Sequence, residues 1–141
     1  LDIHRPQAIR PWQHVLEPLH GYLTLAEKLW HQPELAGAYN FGPNTHEAAT
    51  VQEVIELART AYGQGEVRYG DGNAGPHEAR WLALETARAR VELGIQSHGN
   101  LPETVTRTMA WYQAMHAGAD ARALCLADIV DYGKAVRMIL P

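Results

Sequence analysis

The sequence predicts one α/β domain that is mostly helical, with a few short strands. The chain has 141 residues, 46% hydrophobic and 20% charged, which is an ordinary composition for a single globular domain. Apolar residues recur at helical spacing in several separate stretches. The stretches with strand-like composition are too few for a complete parallel sheet. We therefore expect helices packed around short strands in one unit.

The first predicted helix begins just after Glu17-Pro18 and is ended by Pro33. Its amphipathic stripe consists of Leu19, Tyr22, Leu23, Ala26 and Leu29. The residues before this helix, including Trp12 and His14, are assigned to a short strand. Trp12 is expected to pack into the core, and the alternative is that it forms the wall of a pocket. A second strand is predicted over Ala38-Tyr39-Asn40-Phe41, stopped by Gly42-Pro43, with Asn40 tying down the loop.

The second predicted helix has the clearest start signal in the chain. Thr50 followed by Glu53 forms a capping box, and the helix is closed by Gly63 and Gly65. Its buried stripe is Val51, Val54, Ile55, Ala58, Ala61 and Tyr62. A strand is expected over residues 66–69.

Three further elements are predicted after a strand at residues 82–84. A short helix over residues 85–93 is stopped by Gly94, and Asn100 caps a longer helix that runs to about Ala117. The face of the longer helix is formed by Leu101, Val105, Met109 and Tyr112. A last helix runs from about Leu124 towards Leu140. We expect the helices after Glu17, Thr50 and Asn100 to pack their stripes around the strands.

Charge and cysteine content bound the function classes. The formal charge of −4 argues against broad binding to nucleic acid or to an anionic membrane, and no apolar run has membrane-spanning length. Cys125 is the single cysteine, so no intrachain disulfide can form, which fits a reducing cytoplasm. Between two leucines, Cys125 is expected to be a small buried hydrophobe. The chain opens without an initiator Met, which indicates the interior of a longer polypeptide.

Two short motifs resemble known sites and are rejected on context. The run Gly70-Asp-Gly-Asn-Ala-Gly75 matches the dinucleotide fingerprint, but Pro76-His77-Glu78 follows it where a helix should begin. His46-Glu47 and His77-Glu78 both resemble the start of a zinc-protease motif. In each case the second histidine is missing, so a catalytic zinc site is not supported.

Arg10 is the strongest candidate site residue from local sequence. It stands in the motif Arg10-Pro-Trp-Gln-His-Val-Leu-Glu-Pro18, before the first predicted helix. A planar guanidinium at the rim of a pocket can bind two oxygens of a diphosphate at once. The alternative is a structural arginine paired with a nearby carboxylate.

Four motifs together resemble the CDP-glucose 4,6-dehydratases, nucleotide-sugar enzymes of the extended short-chain dehydrogenase family. They are the Arg10–Pro18 motif, Gly37-Ala-Tyr-Asn-Phe-Gly-Pro43, Pro76-His-Glu-Ala79 and the run from Leu82 to Gly94. The resemblance continues through Trp111-Tyr112 towards Tyr132. It implies that this chain is the C-terminal, substrate-binding domain, residues 1–141, of an α/β Rossmann enzyme whose NAD is bound by an N-terminal domain outside the chain.

The resemblance also implies an activity and the roles of some residues. Such an enzyme oxidises the sugar at C4, eliminates water across C5–C6 and returns the hydride to C6, feeding deoxysugar synthesis for surface polysaccharide. It would act on a CDP-sugar, in the cytoplasm, as a homo-oligomer. The family's Tyr-x-x-x-Lys has no counterpart here, because neither Lys28 nor Lys134 follows a tyrosine at that spacing. No catalytic or cofactor-binding residue is therefore assigned to this chain.

Three residues are assigned to substrate binding. In related enzymes the arginine equivalent to Arg10 contacts the phosphates. Glu78 can accept two hydroxyl hydrogen bonds from a ribose diol, or can be a solvated residue near a helix start. His77 can donate to phosphate or only shape the loop. The alternative functions are a nucleotide-sugar epimerase, a dehydratase of other nucleotide specificity, and a non-catalytic helical interaction domain.

Overall fold

Four helices dominate the architecture of the computed structural model, which describes residues 1–72 and 79–137. They are α1 (Leu16–His31), α2 (Val51–Tyr62), α3 (Leu101–His116) and α4 (Ala121–Arg137). Four two-residue strands accompany them: β1 (Asp2–Ile3), β2 (Ile9–Arg10), β3 (Ala49–Thr50) and β4 (Arg68–Tyr69). The mostly helical α/β fold with a few short strands is confirmed.

The strands form two small pairs. β1 runs parallel to β4, and β2 runs antiparallel to β3 with Arg10 opposite Ala49. An isolated parallel bridge joins Ile9 to Trp81 on the other side of β2. The strand expected over residues 66–69 is confirmed in its last two residues.

The other expected strands are wrong. Residues 11–14, 38–41 and 82–84 have no strand assignment. In the segment 38–41, side chains rather than a neighbouring strand donate to two of the backbone carbonyls. Gln13 Nε2 donates to the Phe41 carbonyl at 3.0 Å, and Arg88 Nη1 donates to the Ala38 carbonyl at 3.1 Å. Asn40 does tie down its loop as expected, because its Nδ2 donates to the Glu85 carbonyl at 3.2 Å.

The predicted capping box of α2 and the predicted Asn100 cap of α3 are both present, and at α3 the Glu103 side chain completes a second capping box. The Glu53 amide donates to Thr50 Oγ1 at 3.1 Å, while Glu53 Oε2 accepts from the Thr50 amide at 2.7 Å. At the start of α3, the Glu103 amide donates to Asn100 Oδ1 at 2.9 Å. These bonds satisfy amides that the first helical turn leaves without an intrahelical partner. They explain why α2 and α3 begin where the sequence indicated.

The core lies between α2, α3 and the β2–β3 pair. Its buried centre is Ala49, Val54 and Val105. Trp12, Leu57, Ala58, Leu101 and Met109 pack around this centre. The Trp12 indole Nε1 donates to the Ala49 carbonyl at 3.1 Å, so its expected core role is confirmed. The predicted stripes of α2 and α3 therefore reach the core through Val54, Ala58, Leu101, Val105 and Met109, whereas Tyr112 of the predicted α3 face is 45% exposed.

The predicted burial of the α1 stripe is wrong. The helix begins at Leu16 and ends at His31, before a 3₁₀ turn at Pro33–Leu35. Its apolar residues Leu19, Tyr22 and Leu23 are 45%, 57% and 72% exposed. The face turned inward carries Glu17 and Gly21, because the Phe41 ring lies where a side chain at Gly21 would stand. The sequence periodicity predicts the apolar face of α1 correctly, but the helix packs through a different face, because Gly21 allows the Phe41 ring to approach the backbone.

Two later elements differ in detail from expectation. The helix expected over residues 85–93 is shorter than predicted. Residues 87 and 88 are α-helical, and a π-helical turn follows over Ala89–Leu93. Gly94 ends this turn with a φ of 73°. The last helix begins at Ala121, earlier than Leu124, and its expected end at Leu140 lies outside the described residues.

Cys125 is exposed, so its predicted burial is wrong. Within the described part of the chain, no helix is long and apolar enough to cross a membrane.

Candidate functional site

Arg10 lies in the middle strand of three adjacent backbone segments. β3 pairs with β2 on one side, and the segment around Trp81 pairs with it on the other. The Ile9 amide donates to the Arg80 carbonyl at 3.0 Å, and the Leu82 amide donates to the Ile9 carbonyl at 3.1 Å. The structure thus brings the Arg10–Pro18 motif beside the residues that follow the Pro76–Ala79 motif.

Backbone carbonyls hold the half-buried Arg10 guanidinium. Its Nη1 donates to the Ile9 carbonyl at 2.7 Å and to the Ala79 carbonyl at 3.0 Å. These two hydrogen bonds hold the planar guanidinium in one orientation. Such a fixed, planar cation is suited to a multiply charged anion.

Ala79, whose carbonyl accepts from Arg10, lines a cavity of about 670 Å³. Among the described residues, the charged side chains of its lining are two arginines, Arg5 and Arg80, and one carboxylate, Asp71. The rest is small, polar or backbone: Pro6, Gln7, Ala8, Gln52, Tyr69, Gly70, Gly72 and Ala79. Neither Arg5 nor Arg80 is predicted from the sequence as a site residue. Only the pairing register of Ile9 with Trp81 would have revealed Arg80, and that register is not visible in the sequence.

The other two predicted substrate-binding residues lie outside the described residues. These are His77 and Glu78, which precede Ala79 directly in the chain. Their roles therefore remain predictions.

The described part of the glycine run does not have the geometry that a dinucleotide needs. Gly70 follows β4, and a side chain there would lie 3.3 Å from the Ile3 carbonyl oxygen. Gly72 has a φ of 83°. The residues from 79 to 86 are not helical, so they supply no helix N-terminus for a pyrophosphate. Residues 73–75 of the run lie outside the described residues. The described residues of this segment do not fit NAD.

A second polar cluster surrounds Glu17, at the end of the Arg10–Pro18 motif. Glu17 is 7% exposed, and its Oε1 accepts hydrogen bonds from the amides of His98 and Gly99 at 3.1 and 3.2 Å. Its Oε2 accepts from the Tyr132 hydroxyl at 3.2 Å. Burial, together with the nearby Glu17 carboxylate, raises the pKa of Tyr132, so this phenol remains protonated. Glu17 therefore ties α1 to the loop before α3 and to α4.

An ion pair and a buried imidazole complete this cluster. Arg107 Nε donates to Asp128 Oδ1 at 2.8 Å, and Arg107 Nη2 donates to the Asp128 carbonyl at 2.7 Å. His14 is 9% exposed, and its Nδ1 accepts from the Leu16 amide at 3.4 Å. Burial lowers the pKa of His14, and Arg107 lowers it further. A neutral His14 here serves packing, and the cluster as a whole positions helices.

Comparison with known proteins gives one strong match. No protein-family model matches the chain. The CDP-glucose 4,6-dehydratase of Salmonella typhimurium is 37% identical over 134 residues, which cover 94% of this chain and 37% of that protein. The chain thus spans little more than a third of the length of this curated relative. Over nearly its whole length, this chain is similar to the C-terminal part of a CDP-glucose 4,6-dehydratase, the resemblance that its motifs indicated.

Proposed function

We propose that this chain is the substrate-binding domain of an enzyme like CDP-glucose 4,6-dehydratase, which converts CDP-glucose to CDP-4-keto-6-deoxyglucose. The similarity to the Salmonella enzyme supports the substrate class. The observation that carries the assignment is the Arg10 guanidinium, which is held by two carbonyls, one of them from Ala79 in the lining of a cavity of about 670 Å³. A cavity of this volume is large enough for a nucleotide-sized ligand.

In this proposal the chain supplies binding and orientation. Arg10 donates to oxygens of the CDP diphosphate, and the carbonyls of Ile9 and Ala79 keep the guanidinium from rotating as the anion arrives. Fixing the diphosphate fixes the attached sugar relative to the reacting groups. NAD, which accepts and returns the hydride in such an enzyme, is assigned to an N-terminal Rossmann domain outside these residues, as are the catalytic tyrosine and lysine.

His77 and Glu78 extend the proposed site. In the sequence they directly precede Ala79, whose carbonyl accepts from Arg10. We assign the Glu78 carboxylate to the ribose hydroxyls and His77 to a phosphate oxygen.

Calorimetric titration of this chain with CDP tests the assignment. Arg10→Ala should weaken CDP binding by about 1.5–3 kcal/mol, the scale of a hydrogen bond to a charged group. Arg122→Ala removes the same charge from the exposed start of α4 and serves as the control, with an expected loss close to zero. Circular dichroism should show the same helix content for both variants. Equal CDP affinity in the Arg10 and Arg122 variants would contradict the proposal.

Titration with NAD tests the domain assignment separately. The chain should show no saturable NAD binding and no dehydratase activity on any nucleotide sugar, because no helix begins in residues 79–86, the described segment that follows the glycine run, where the pyrophosphate would need a helix N-terminus. Saturable binding in the micromolar range would contradict the placement of the cofactor site outside this chain.

The alternatives predict different titrations. An epimerase or dehydratase of other specificity would prefer UDP, GDP or dTDP to CDP. A non-catalytic interaction domain would bind none of them, and the exposed Leu19, Tyr22 and Leu23 of α1 favour this second candidate. A panel of the four nucleoside diphosphates separates the three functions.

A further inference from the structure

The pairing of Ile9 with Trp81 determines which side chains share a face with Arg10. In a parallel pair, bridged residues point to the same side, and their neighbours in sequence point to the opposite side. Ile9 and Trp81 therefore occupy one face, while Arg10 and Arg80 occupy the other. Arg10 and Arg80 lie on adjacent backbone segments and are offset by two residues along the strand direction. Strand geometry therefore places their Cα atoms roughly 8 Å apart.

Arg80 itself faces the cavity of about 670 Å³. It is exposed, and it lines that cavity together with Ala79, whose carbonyl accepts from Arg10 Nη1. Within residues 1–72 and 79–137, the Arg80 side chain makes no hydrogen bond or ion pair. Arg68 and Arg107, in contrast, are paired with the carboxylates of Asp2 and Asp128. The Arg80 guanidinium can therefore reorient towards a ligand without breaking a hydrogen bond or an ion pair within those residues.

A diphosphate carries negative charge on two phosphorus centres, and its recognition is improved by a donor for each. Arg10 is fixed and Arg80 is adjustable, on the same face and within side-chain reach of one another. We propose that Arg80 is a second phosphate-binding residue, which contacts one phosphate of the nucleoside diphosphate while Arg10 contacts the other. This inference rests on the proposed function and adds to it a basis for selecting diphosphates over monophosphates.

The test compares the affinities of CDP and CMP for the same chain. Wild type should bind CDP at least tenfold more tightly than CMP, because CMP engages one guanidinium. Arg80→Gln should weaken CDP binding about tenfold and leave CMP binding nearly unchanged, so that the preference disappears. Arg80→Lys, which retains the charge without the planar fork, should fall between them. Arg122→Gln, with the same change of charge on α4, should retain the wild-type preference.

The outcomes separate this inference from the proposed function. If Arg80→Gln retains the preference for CDP, or weakens CDP and CMP equally, Arg80 does not contact a second phosphate and the inference is overturned. The assignment of Arg10 would stand in that case. If wild type binds neither nucleotide, the proposed function itself fails. The preference lost in Arg80→Gln and kept in Arg122→Gln would support the inference.

Discussion

The Tyr132 hydroxyl donates a hydrogen bond to Glu17 Oε2 at 3.2 Å, joining α4 to α1 across 115 positions of the chain. The other oxygen of the same buried carboxylate accepts the amides of His98 and Gly99. One side chain thus fixes three elements. Glu17 closes the motif that begins with Arg10, so the motif combines a proposed ligand contact at one end with a structural junction at the other.

Removal of the Glu17 carboxylate should be costly. Glu17→Ala leaves two amides and a phenol without their acceptor, and we expect a loss of about 2–3 kcal/mol in the free energy of unfolding. Urea denaturation followed by circular dichroism measures this loss. Glu27→Ala, on the exposed face of the same helix, is the control and should change stability by less than about 0.5 kcal/mol. Equal effects would mean that the Glu17 contacts add nothing to stability.

Stability should fall as the pH is lowered below 6.5. Burial lowers the pKa of His14, with a smaller contribution from Arg107, and burial together with His98 lowers the pKa of His20. The unfolded chain then binds more protons than the folded chain as the pH falls through 6.5, so the stabilisation present at neutral pH is lost towards the lower pKa of the folded state.

Thermal unfolding at pH 7.5 and pH 5.5 measures this loss. His14→Gln should reduce the difference in melting temperature between the two pH values. His31→Gln, at the exposed end of α1, should leave the difference unchanged. A wild-type melting temperature that is higher at pH 5.5 would contradict the prediction.

The capping boxes should each contribute about 1 kcal/mol. Thr50→Ala and Asn100→Ala remove the side chains that accept from the amides of Glu53 and Glu103. Thr60→Ala, on the exposed side of α2, is the control; alanine is the better helix former there, so it should be neutral or slightly stabilising. Urea midpoints of the three variants provide the comparison.

Two glycines within helices should respond oppositely to alanine. A Cβ at Gly21 would lie 2.6 Å from the Phe41 ring, so Gly21→Ala should destabilise by about 1–3 kcal/mol through overpacking. A Cβ at Gly133 meets nothing within 4 Å, so Gly133→Ala should stabilise α4 by up to about 1 kcal/mol. Melting temperatures that shift in the same direction would show that the packing at Gly21 is misassigned.

The predictable parts of this fold are those encoded by neighbouring residues. Thr50 with Glu53 and Asn100 with Glu103 mark the starts of α2 and α3 because each box closes within one turn. The two-residue strands were mostly missed, because such short pairs depend on which distant segments meet. The predicted burial of the α1 stripe is wrong for a related reason. The periodicity of the sequence shows which face of α1 is apolar, but the contact of Phe41 with Gly21 determines which face is covered.

The candidate site divides in the same way. Arg10 can be proposed from the sequence because the chemistry of a guanidinium and its motif are both local. Arg80 was missed because its relation to Arg10 depends on the register of Ile9 with Trp81, which are far apart in sequence. The same limit applies to Cys125, whose leucine neighbours suggested burial although α4 turns it outward.

The attachment of α4 has a consequence for the dynamics of the chain. Leu126, Ile129 and Val130 are each more than half exposed, while Tyr132 and Asp128 bond to Glu17 and Arg107. Little apolar burial opposes its release, so α4 should open separately from the α2–α3 core, at a lower free energy than global unfolding. Its amides should exchange with deuterium sooner than those around Val54 and Val105. In Tyr132→Phe, exchange in α4 should accelerate while the core amides keep their protection, so that this helix unfolds before the α2–α3 core.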